Sequence, residues 1–223
     1  MEIRNDMSSD PRHQALIDTL GAGLTPVRRL PPPWLRTLGW LLVVAAIAAA
    51  LLMHYGTAPM LQRWAGAPDL AWAAAGAVLT TACAAWAAFA LSVPGRSRTW
   101  AWLPLPPALL WIGASGLGCL RSWLAPGTSV ATLHQSTDCL VFIISFSIPL
   151  SALMILLLRR ACPLRPVRTA ILVGLASAAA SASLLEICHA YDAAATDLLT
   201  HALAVAIVIA ANAAMGGRLL SRR

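Results

Sequence analysis

Six uncharged apolar runs divide the chain, at residues 37–62, 70–95, 99–120, 139–158, 169–185 and 198–217. Each lies at or near the ~20 residues that a helix needs to cross ~30 Å of hydrocarbon. Backbone N–H and C=O groups find no water inside a bilayer, so spans of this kind must close their hydrogen bonds within helices. The expected fold is an all-α membrane protein with six transmembrane helices. The spans are predicted at about 38–54, 70–92, 100–120, 139–158, 169–186 and 198–217.

The arginines give this arrangement a direction. Arg4, Arg12, Arg28, Arg29 and Arg36 precede the first span; Arg96 and Arg98 separate the second from the third. Arg159, Arg160, Arg165 and Arg168 separate the fourth from the fifth, and Arg218, Arg222 and Arg223 follow the sixth. The alternate connections hold only Arg63 and Arg121, and the last of them carries Asp192 and Asp197 instead. The positive-inside rule then puts both termini in the cytoplasm; the resemblance described below implies that the membrane is a bacterial inner membrane. The net charge of +7 is read as arginine facing anionic lipid rather than nucleic acid. There is no lysine, and the polar lead-in is too long for the n-region of a signal peptide.

Three segments result: a cytoplasmic tail at 1–36, a transmembrane domain at 37–217 and a short cytoplasmic terminus at 218–223. In the tail, Leu16, Ile17, Leu20, Leu24 and Val27 recur at helical spacing. Gly21, Gly23 and Pro26 end or bend that helix, and Pro31, Pro32 and Pro33 form a stiff spacer into the membrane. Such a stripe either lies on a membrane surface or docks in a partner's groove. Within the spans, small residues around Gly174 allow close helix approach. Trp34, Trp40, Trp100, Trp102 and Trp123 sit where an interfacial aromatic belt is expected.

Topology sorts the cysteines. Cys83 is mid-span and Cys162 falls in a cytoplasmic connection, where it stays reduced. Cys119, Cys139 and Cys188 all reach the outer face, in the company of Asp138, Glu186 and His189. Two thiols there suit a reversible or structural disulfide. Thiolates with imidazole and carboxylate suit a soft metal ion, copper, zinc or cadmium. Residue spacing leaves both open, and no other cofactor and no small-molecule substrate is implied.

Two enzyme or transport readings compete. Gly113-Ala114-Ser115-Gly116 with His201 in the sixth span looks like an intramembrane serine protease. However, Ser115 falls toward the C-terminal end of its helix, where carbonyls rather than N–H donors are free. A transporter or metal permease would carry ionisable groups at the membrane midplane, and the spans have none. Neither is favoured, and a non-enzymatic role is expected.

The stretch LIDTLGAGLTPVRRLPPPWLR at 16–36 resembles the N-terminal signature of the NrsF family of membrane anti-sigma factors. The resemblance continues through Cys139, Pro149, the LLRRACPL exit at 157–164, Gly174, Cys188 and the closing GGRLL at 216–220. The mostly Ala, Val and Ile final span departs from the family pattern. The resemblance implies an anti-sigma factor whose tail, through Leu16, Ile17, Leu20, Leu24, Val27, Arg28 and Arg29, holds an extracytoplasmic-function sigma factor. It also implies that Cys139 and Cys188 respond to oxidants or heavy metals.

Overall fold

A computed structural model describes residues 11–24, 29–124, 133–161, 163–188 and 195–220. It divides into two units, residues 1–30 and 31–223.

The described part of the first unit is one helix, α1 (Pro11–Ala22). It ends where the glycines stand, with Leu24 N–H bonded back to the Gly21 carbonyl at 3.2 Å. Glycine at a helix end carries little cost, whereas in the interior it costs about 1 kcal/mol against alanine.

The regular elements described in the second unit are all helices: α2 (Pro33–Tyr55), α3 (Ala58–Gly66), α4 (Pro68–Leu91), α5 (Leu105–Leu124), α6 (Leu133–Arg159), α7 (Pro166–Cys188) and α8 (Ala195–Leu220). Six segments are long and apolar enough to cross a membrane: Pro33–Tyr55, Pro68–Leu91, Arg98–Arg121, Thr137–Arg159, Pro166–Cys188 and Leu198–Gly216. The first begins earlier than the expected residue 38. Pro33 occupies the first helical position, where its missing N–H is not needed and its φ is already helical. The third is entered through a 3-10 turn, Arg98–Trp102, and its α-helix begins at Leu105, with Pro106 and Pro107 in the first turn, where proline is tolerated. The short helix α3, between the first two spans, has no counterpart in the sequence reading.

The alanine-rich helices α4 and α7 pack against each other at the centre. Helix α5 lies on α4, α6 and α8 lie on α7, and α2 crosses both central helices. Lipid tails are as apolar as side chains, so helix association in a bilayer relies on close packing rather than on the hydrophobic effect. Glycines supply that closeness. A Cβ on Gly76 would stand 2.6 Å from the Trp111 backbone N, and one on Gly174 would stand 2.8 Å from the Ile209 Cα. Helices α5 and α8 are thus each drawn onto a different central helix.

Polar side chains cross-link the interior. Ser147 bonds Ser181 Oγ at 3.0 Å, and the Asn212 amide donates to Ser151 Oγ at 3.2 Å. These serines flank Pro149, which lies inside α6 and removes one N–H from its ladder. Neighbouring helices stabilise such a break in a membrane. Trp40 was expected in an interfacial belt but is fully buried. Its indole N–H donates to the Leu150 carbonyl at 3.1 Å, which gives the buried ring nitrogen an acceptor on a neighbouring helix.

Candidate functional site

Consecutive spans alternate in direction, so the bundle has an arginine-rich end and an arginine-poor end. At the rich end, desolvation first and the charges of Arg98 and Arg168 next push the Arg165 guanidinium below its ordinary value. The charges of Arg98, from the second-to-third connection, and Arg165, from the fourth-to-fifth, are thus felt by one another at this end. Arg36, grouped in the sequence with the tail, is instead buried in the bundle. It bonds Ser92 Oγ at 3.1 Å and lies 5.2 Å from the Phe89 ring centroid. A buried guanidinium needs such partners to offset lost hydration.

At the poor end, the two exceptional arginines are tied to carboxylates. Arg121 Nη1 stands 3.2 Å from Asp69 Oδ1, and Arg63 Nη1 stands 3.9 Å from Glu186 Oε2. Arg63 also donates from Nη2 to the Glu186 carbonyl.

The thiols sit at this same end. Cys139 and Cys188 share one small apolar cluster with Ile143, Leu185 and Ala204. Cys139 is buried and Cys188 partly so, and both are free thiols. Cys188 Sγ is 3.5 Å from the Leu185 carbonyl oxygen. Cys119 lies on α5, whose main neighbour is α4, and it does not join that cluster. Asp138 is exposed beside Cys139. Glu186 turns to Arg63. His189 lies outside the described residues. Among the described residues no group of three or more His, Cys, Asp and Glu is arranged to hold a metal ion.

In the first unit, the expected stripe faces outward. Leu16, Ile17, Leu20 and Leu24 are 56 %, 60 %, 64 % and 79 % exposed, and α1 buries none of its residues. Arg29 is exposed as well. Val27 and Arg28 lie outside the described residues.

Ser115 and His201, the pair behind the protease reading, line one cavity. Ser115 stands inside α5, where backbone N–H groups are already bonded within the helix, so none is free to hold an oxyanion.

The fold is that of a multi-pass helical membrane protein, with a separate N-terminal helix that exposes an apolar stripe and a thiol pair at one end of the bundle. Over residues 20–221 the sequence matches the family described as negative regulator of sigma F, NrsF. That is nearly the whole chain, and the protein belongs to this family. A negative regulator of this kind has a sigma factor as its partner. No curated protein and no solved structure matches the chain.

Proposed function

We propose that this chain is an inner-membrane anti-sigma factor with both termini in the cytoplasm, holding an extracytoplasmic-function sigma factor against the membrane through α1. The observation that carries this reading is the exposed stripe Leu16, Ile17, Leu20 and Leu24. An apolar helical face at these spacings fits a hydrophobic groove on a partner. The family membership supplies the class of partner. The orientation follows from the arginine distribution, and the two arginines that break the pattern are the ones paired with Asp69 and Glu186.

Release is proposed to begin at Cys139 and Cys188. In the oxidative form, each thiol loses a proton and one electron, the sulfurs bond, and the oxidant takes up both electrons and both protons. In the alternative form, both thiolates bind a soft metal ion and release their protons to solvent. Either event ties α6 to α7 at one end. Helix α6 then moves about Pro149, where Trp40 joins it to α2. The tail precedes α2 directly in the chain. A switch of this kind needs the two states to differ by a few kcal/mol in affinity for the sigma factor.

A reporter driven by the cognate sigma factor tests this. Deleting the chain should raise reporter output without any inducer. Replacing both Cys139 and Cys188 with serine should keep output low when oxidant or cadmium is added. Full induction in that double variant would contradict the thiol assignment while leaving sequestration intact.

A further inference from the structure

A cavity of about 540 Å³ lies between α5 and α8. Its origin is visible in the packing. Gly76 draws α5 onto α4 and Gly174 draws α8 onto α7, so the two outer helices part and leave a slot between them. Ala73, Ala77 and Ala182 contribute to the floor of the slot, and their small side chains leave it unfilled. The volume falls within the ~300–1,000 Å³ of typical ligand sites.

The lining is strongly graded. Arg63, Glu186 and His201 stand toward the arginine-poor end, and Ser115 is the other polar residue facing the cavity. All else in the wall is apolar or aromatic. Along α7 the lining runs from Leu175 to Glu186, which is about 16 Å at ~1.5 Å per residue. The slot also opens sideways. Ile112 in its wall is 64 % exposed, on a span whose outer surface meets lipid.

Arg63 is built into the polar end. It is held by the Glu186 carbonyl and side chain, and its Nε has no hydrogen-bond acceptor among the described residues. A guanidinium carries five N–H donors in a planar fork suited to phosphate. Its attachment to Glu186 fixes that fork at the mouth of a hydrocarbon-lined slot.

We propose that this cavity binds one acyl chain of a bilayer phospholipid, with the lipid phosphate held by Arg63. A sideways opening, an apolar interior of chain-like length and a basic group confined to one end are together what an amphiphile of the surrounding leaflet requires. The proposal is independent of the sigma factor and of the thiols.

Native mass spectrometry of the full-length protein, released from membranes in mild detergent, tests it. The wild type should retain one phospholipid. Ala206→Trp and Ala202→Trp each fill the slot from its exposed wall, and retained lipid should fall about tenfold. Arg63→Gln leaves the slot open but should lose phospholipid to a similar degree. Free fatty acid of the same chain length, added in equal amount, should not displace the phospholipid from the wild type. Thermal melts confirm which variants are folded. Wild-type lipid retention in a folded tryptophan variant or in Arg63→Gln would overturn the proposal. So would displacement by the fatty acid.

Discussion

The Trp40 indole N–H reaches the Leu150 carbonyl oxygen at 3.1 Å, across 110 positions of sequence and one residue past Pro149. Both side chains are fully buried. This bond fastens the first span to the fourth beside its internal proline. Trp40→Phe keeps most of the ring and removes the donor, so it should cost on the order of 1 kcal/mol, as interhelical bonds in membranes do. Trp40→Ala adds a cavity and should cost about 3–5 kcal/mol. Chemical denaturation of the purified protein in detergent would order the three proteins in that sequence.

Close approach at Gly76 makes a sharper prediction. A Cβ there would collide with the Trp111 backbone, which cannot move without shifting α5. Gly76→Ala should destabilise by roughly 1–3 kcal/mol. Gly113→Ala on α5, where nothing lies within 4 Å, should be neutral or slightly stabilising. Paired melting curves would show the contrast.

The thiol cluster predicts a specific cross-link. Mild oxidation of the full-length protein should join Cys139 to Cys188, visible as one disulfide-linked peptide pair by mass spectrometry. Cys119→Ser should leave the yield unchanged, because α5 packs on α4 rather than on α6 or α7. A Cys119-linked peptide as the main product would refute the pairing.

Orientation has its own readout. Reporters fused after Arg223 that fluoresce only in the cytoplasm should be bright. An enzyme active only in the periplasm, inserted in the 125–132 connection, should be active. Asp69→Asn removes the carboxylate beside Arg121 but changes no count of basic residues, so the orientation should stay the same.

Much of this architecture is legible in the sequence because a bilayer imposes a length and a polarity on every span. Alternation of direction was enough to bring Cys139 and Cys188 to one end, since helices joined in succession must return. Lateral placement was not legible. Cys119 is at the same level as those thiols by topology, yet α5 sits on the far side of α4, a fact fixed by the missing side chain at Gly76. Arg36 read as one more tail arginine, because its partner Ser92 is 56 positions away and no local pattern announces it. Trp40 was misplaced for the same reason. Helix α3 was too short to carry a period, and with it the Arg63–Glu186 contact went unseen.

Affinity purification of the tagged full-length protein from its own host, followed by quantitative mass spectrometry, tests the central claim most directly. The account predicts that an extracytoplasmic-function sigma factor co-purifies with the wild type. Its amount should fall at least about tenfold with Leu16→Glu and Leu20→Glu together, since a charged pair in a hydrophobic groove removes the anchor contacts. Absence of any sigma factor, or equal recovery with the double variant, would contradict it.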